Sequence, residues 1–164
     1  MLERFTCRVR KTTGLCIVLL LALVLVSCQA PVPEPKELNP AELSAALLQD
    51  LGFPTMLEIA PERLQRYYPY DDSVFSVAYV HLAFDVVADE IALFQVEETQ
   101  KIADIKAGLN QHYSERAEVF SSYAPEESAR IQNRLTIEHD RWIIVVITDD
   151  TNAAKDIVNA HIEG

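Results

Sequence analysis

One apolar run near the N-terminus constrains this chain more than any other feature. Gly14 to Val26 are almost wholly apolar; Arg4, Arg8, Arg10 and Lys11 precede them, and the small residue Ser27 closes the run. Basic, then apolar, then small is the order of a secretory signal peptide. Crossing a hydrocarbon core takes about 20 apolar residues. This run is shorter and stops at Ser27, Gln29 and a cluster of prolines, so a removable signal fits it better than a retained spanning helix. Folding is therefore expected of the residues beyond Ser27. Cys7 and Cys16 fall in the removed part, and Cys28 is the only cysteine after it. The remaining chain has no disulfide and no cysteine-ligated zinc to draw on, so packing must hold it together.

The tetrapeptide Leu25-Val26-Ser27-Cys28 resembles the bacterial lipobox. That resemblance implies a diacylglyceryl group on the Cys28 sulfur and cleavage just ahead of Cys28. Two acyl chains anchor durably, whereas one chain of myristoyl size binds only marginally. The expected organisation is a lipoprotein signal peptide over 1–27, a lipidated proline-rich tether over 28–39 and a single α+β domain over 40–164. Pro31, Pro33, Pro35 and Pro40 favour extended polyproline conformations, so the tether reads as a spacer. The expected location is a cell membrane, on its extracytoplasmic face.

The formal charge is −11, and removing residues 1–27, with their four basic side chains and Glu3, takes it to −14. So acidic a domain excludes nucleic acid, whose phosphates demand Lys and Arg, and a basic patch for anionic headgroups. The charge also serves solubility.

Asn39 reads as an N-cap, Pro40 as first-turn residue, and Leu43, Leu47 and Leu51 as one helical face ending near Gly52. A second short helix is expected from Pro61 to Tyr67 or Tyr68. Val74 to Phe84 and Glu90 to Val96 read as strands. Thr99 to Tyr123 carries Ile102, Ile105, Leu109, Tyr113 and Phe120 at helical spacing. A short helix from Pro125 to Asn133, strands at Arg134–Glu138 and Trp142–Thr148, and a helix opened by Asp149, Asp150 and Thr151 complete the chain. A weak self-similarity matches Ile91 with Ile143, Thr99 with Thr151, Asp104 with Asp156 and Ile105 with Ile157. It reads either as a duplication or as two strand-to-helix junctions needing the same residues. Both give an α+β fold: a four-stranded, mainly antiparallel sheet from two strand-strand-helix units, with the helices packed on one face and two short N-terminal helices.

Three stretches together resemble a known family: Ala88-Asp89-Glu90-Ile91-Ala92-Leu93-Phe94, Phe120 through Glu127, and Trp142 through Asp150. They are similar to the bacterial lipoproteins classed as domain of unknown function 4358, and the resemblance spans nearly the whole mature domain. It implies the outer face of a Gram-positive cytoplasmic membrane and brings no activity, ligand or catalytic residue. The sequence departs from the pattern at His139-Asp140-Arg141, where a glycine is expected before the aromatic.

Chemistry is sparse. The pairs Glu97/Glu98 and Asp149/Asp150 offer paired carboxylates, yet both sit where a helix start favours negative charge. Asp85, Asp89 and Glu90 do not match the calcium-loop spacing. His81, His112, His139 and His161 fall on separate elements without a metalloprotease pattern, and Gly14, Gly52, Gly108 and Gly164 frame no serine. No catalytic residue, metal ligand or cofactor is assigned, beyond the lipid on Cys28. Tyr67, Tyr68 and Tyr70 form the candidate recognition patch, since aromatics with polar tips favour interfaces; the alternative is that they close the second helix over the sheet. Trp142 reads as packing. The expected function is that of a protein-binding or accessory module of the cell envelope, with an envelope protein as partner. An envelope-acting hydrolase using loop carboxylates and a small-ligand carrier are the alternatives.

Overall fold

Two central strands set the architecture. Glu90–Val96 and Trp142–Ile147 are buried on both faces along nearly their whole length, so neither face of the sheet can meet water. The computed structural model describes residues 37–84 and 86–162. The expected signal peptide, the Leu25–Cys28 motif and the expected tether up to residue 36 lie outside the described residues, as does Asp85.

In chain order the elements are α1 (Pro40–Asp50), β1 (Met56–Ile59), a 3-10 turn (Pro61–Arg66), β2 (Phe75–Ala83), β3 (Glu90–Val96), α2 (Ile102–Ser121), α3 (Pro125–Gln132), β4 (Leu135–His139), β5 (Trp142–Ile147) and α4 (Thr151–Ile162). The sheet order is β1-β2-β3-β5-β4, and all neighbours are antiparallel. The expected α+β class and antiparallel sheet are present, with two corrections. There are five strands, because Met56–Ile59 pairs with the second half of β2; four residues without β-branched enrichment carried too little signal. The helices cover both faces. Leu64, Ile131 and the α2 stripe Ile105, Leu109, Tyr113, Ala117 and Phe120 pack on Phe94, Ile143 and Val145. Leu43 and Leu47 of α1, with Ala154 and Val158 of α4, pack on Ile91, Leu93, Trp142 and Ile144 from the other side. The expected second N-terminal helix is the 3-10 turn Pro61–Arg66.

Local chemistry explains the boundaries. Asn39 Oδ1 accepts from the backbone N–H of Ala41 and Glu42, Pro40 occupies the first turn, and Gly52 turns the chain at φ +63° just past the helix end. Asp150 Oδ1 accepts from Ala153 N at 2.9 Å and so caps α4. Glu98, by contrast, precedes its helix without capping the backbone; it pairs with Lys101 and Gln100 side chains.

The self-similarity fails as a rigid repeat. A two-fold axis through the sheet between β3 and β5 exchanges the two hairpins but keeps the faces, so it would place α2 and α4 on the same side. They lie on opposite sides. Ile91 and Ile143 likewise face opposite layers, Ile91 toward α1 and α4 and Ile143 toward α2. Each nevertheless faces away from the helix that comes after its own strand, which is a local junction requirement. The shared residues therefore reflect the junctions.

His139 and Trp142 pair across a two-residue turn, and Asp140 takes the positive φ of 51° there. This is the place where the sequence lacks the expected glycine. A positive φ at only the first central residue belongs to the type II′ hairpin, which favours glycine at that position. Asp140→Gly should raise unfolding free energy by about 0.5–1 kcal/mol in urea titrations; unchanged or lower stability would show that the Asp140 conformation carries no strain.

Candidate functional site

The polar centre of the molecule is Glu90, the first residue of β3, 1% exposed. Both Tyr68 and Tyr113 donate their hydroxyls to Glu90 Oε1, the former at 2.7 Å. Arg116 pairs with Oε2, and its second Nη lies 3.4 Å from the Ala88 carbonyl. A buried carboxylate costs several kcal/mol unless so matched. Burial, then the nearby Glu90 charge, raises both tyrosines well above the ordinary phenol value, which keeps them protonated as donors. Burial works against the Arg116 charge, but Glu90 and the two tyrosines overcome it and raise Arg116.

Next to this group Asp89 meets Arg130, which also holds Glu127 at 2.7 Å and lies 2.8 Å from the exposed Asp149. Glu127 Oε2 in turn accepts from Ala88 N at 2.8 Å. Burial raises Asp89 above the ordinary carboxyl value even though Arg130 pulls it down. The buried Ser128 hydroxyl donates to Ala117 O at 2.7 Å and fastens α3 to α2. The last residues of the β2–β3 loop are thus held by side chains from α2 and α3.

Above Glu90 opens a cleft of about 170 Å³ between β2, the loop and α2. Ile59, Leu82, Phe84, Val87 and Phe120 wall it; Tyr67, His112 and Arg116 also face it. A shallower hollow lies alongside, bounded by Val86, Val87, Ala124 and Pro125. Phe84, Val86 and Tyr123 are more than half exposed, and the Tyr123 ring lies 5.1 Å from that of Phe120. These groups make one apolar surface at the loop end of the sheet.

The three tyrosines of the recognition patch are not brought together. Tyr67 is exposed on the cleft rim. Tyr68 is 5% exposed and serves Glu90. Tyr70 is half-buried, donates to Ile105 O at 3.2 Å and closes on Gly108, where a Cβ would lie 2.0 Å from its hydroxyl. Tyr68 takes up the alternative, closing the 3-10 turn over the sheet through Glu90, while Tyr70 closes the following segment on α2. Among the loop carboxylates, Glu90 and Asp89 are committed to arginines. Trp142 is buried in the α1/α4 layer. His81 is half-buried on β2 opposite Glu58 and Ile91. Among the described residues no group of three or more His, Cys, Asp or Glu side chains is placed to hold a metal, and no helix is long and apolar enough to cross a membrane.

Sequence reasoning missed the Glu90 network. Its signal was Arg116, which stands three residues after Tyr113 and four before Phe120, and so puts a charge on the buried stripe of α2. Such a charge demands a buried partner.

A family model described as Domain of unknown function (DUF4358) matches residues 49–148, from the end of α1 to just past β5. The chain belongs to this family. No curated protein and no solved structure matches it.

Arg116→Ala leaves Glu90 buried without its cation and should cost about 3 kcal/mol of unfolding free energy. In the Glu90→Gln background the same change should cost far less; equal losses in the two backgrounds would show that the pair is not coupled. Burial lowers the His112 pKa, with Glu90 and Glu115 opposing and Arg116 and Arg134 assisting. A folded-state value below the unfolded one stabilises fully above about pH 6.5. That contribution is lost as pH falls through the folded value. Carbon-13 NMR should place His112 below the free imidazole value, and His112→Gln should flatten the stability loss between about pH 6.5 and 5; an unshifted imidazole would show that water reaches it freely.

Proposed function

We propose that this chain is a lipid-anchored module on the extracytoplasmic face of a membrane, and that it binds an envelope protein through the loop end of its sheet. The observation carrying this reading is the exposed apolar surface of Tyr67, Phe84, Val86 and Tyr123, grouped around a loop whose base is held by Arg116 and Arg130. Contiguous exposed apolar groups mark interaction sites, and a rigid base reduces the ordering cost of binding.

The entry point of the chain supports the same reading. Glu37 and Leu38 lie beside Gln95 and the 139–142 turn. The register of β3 with β5 puts that turn opposite the end where Glu90 pairs with Ile147. A tether entering at Glu37 therefore starts from the end of the sheet remote from the apolar loop. The lipobox resemblance at Leu25-Val26-Ser27-Cys28 supplies the anchor, a diacylated Cys28.

Cys28→Ala should move the protein out of the membrane fraction and abolish acyl labelling; a variant still lipid-modified and sedimenting with membranes would refute the anchor. A photocrosslinking residue at Val86 should give a discrete adduct in intact cells, while the same residue at Arg141, at the far end, gives none. Equal adducts from both positions would reject the loop end as the binding surface.

A further inference from the structure

The cleft above Glu90 is small and chemically defined. Its volume of about 170 Å³ lies near the roughly 150 Å³ that accommodates one benzene and below the roughly 300 Å³ at which small-molecule pockets begin. It has room for one ring and little else. The walls are largely apolar; of the polar groups that line the space, Glu90 is taken up by Tyr68, Tyr113 and Arg116, which leaves Arg116 and His112 to meet a ligand. Arg116 has one Nη on Glu90 and the other 3.4 Å from a carbonyl, so its guanidinium retains donor capacity. The ring nitrogens of His112 have no hydrogen-bond partner among the described residues, and burial keeps the imidazole neutral, with one donor and one acceptor.

An ammonium group fits poorly, because Arg116 already supplies the cation and stacks over Phe120 at 5.6 Å. A carboxylate fits poorly beside Glu90 and Glu115 in a domain this acidic. A hydroxyl fits both polar groups: it accepts from Arg116 and exchanges a hydrogen bond with His112. A ring carrying a hydroxyl at its tip is a tyrosine side chain.

From this geometry we propose that the cleft is a socket for one tyrosine of the partner, presented on a basic segment. The assignment rests on the binding reading above and names what that site recognises. The basic flanks come from charge complementarity. Residues 28–164 carry a formal charge of −14, and Glu126 borders the adjoining hollow. Interfaces concentrate their affinity in such aromatic anchors, ringed by weaker contacts that exclude water.

The test uses the lipidated protein purified from membranes in mild detergent, with fluorescent heptapeptides read by anisotropy. Lys-Lys-Ala-Tyr-Ala-Lys-Lys should bind at least tenfold more tightly than the same peptide with alanine at its centre. Phenylalanine at the centre should fall between them, and glutamate flanks should weaken binding at least tenfold. Val87→Trp, which fills the cleft, should abolish the preference for tyrosine. His112→Leu should narrow the difference between tyrosine and phenylalanine, leaving only the part due to Arg116. Equal binding of the tyrosine and alanine peptides to the unaltered protein overturns the proposal without recourse to any variant. So does p-cresol competing as well as the peptide does, which would make the cleft a site for a free phenol. If the peptides fail while Val86 still crosslinks in cells, the socket is wrong and the binding surface stands; if neither works, the binding reading falls as well.

Discussion

A carboxylate at the start of a central strand is the constraint to which much of this structure answers. Glu90 cannot reach water, so its oxygens must be matched by donors, and those donors come from separate segments. Tyr68 arrives from the end of the 3-10 turn, while Tyr113 and Arg116 come from successive turns of α2. Matching them fixes the height and rotation of α2 on the sheet and draws the 3-10 turn against β3. Asp89 repeats the device one residue earlier, through Arg130, and brings α3 into the same arrangement. Arg134 stacks over Tyr113 at 4.6 Å and limits the movement of that ring. Ion pairs of this kind contribute little net stability against an apolar alternative, but breaking one partner is costly, so they specify position.

The loop between β2 and β3 inherits its character from that arrangement. Ala88, Asp89 and Glu90 are fastened, whereas Phe84 and Val86 stand in solvent only a few residues away. A mobile loop would bury such side chains on its own surface. A loop held by two arginines keeps them presented, at the cost of exposed apolar area.

Local signals in the sequence carried most of the fold. Asn39-Pro40, Pro125 and Asp150-Thr151 are chemical punctuation, and the apolar spacing of α2 is regular, so those elements fall within a few residues of where the residues place them. The second helical layer was also legible, though less directly. Trp142–Ile147 is an unbroken apolar run, and a strand without alternation needs cover on both faces. The internal similarity obscured this, since a true duplication would have kept both helices on one side. β1 was not legible, because a four-residue edge strand is defined by its partner and hardly by its own residues. The site divides similarly. Tyr67, Tyr68 and Tyr70 are consecutive enough to look like a patch, but one is exposed, one serves Glu90 and one closes on Gly108. Pairing across 20 or more residues, as between Glu90 and Arg116, leaves no local pattern beyond a charge on an apolar stripe.

Covering both faces of the sheet also narrows where this domain can act. Helices occupy the two broad surfaces, so the sheet itself is reachable only at its edges and its two ends. One edge is the short β1 and the other is β4, whose outward positions include the charged Glu138, an arrangement that discourages strand addition. At one end lies the tight His139–Trp142 turn beside Glu37 and Leu38, in largely polar surroundings. The other end is different in kind: an apolar rim over a polar floor, with its base pinned to α2 and α3. Acidic surface elsewhere repels other acidic proteins and favours basic ones at long range. On the binding reading proposed above, charge selects the partner by sign and the cleft selects it by shape, a division of labour that puts specificity in a few residues around Arg116 and His112.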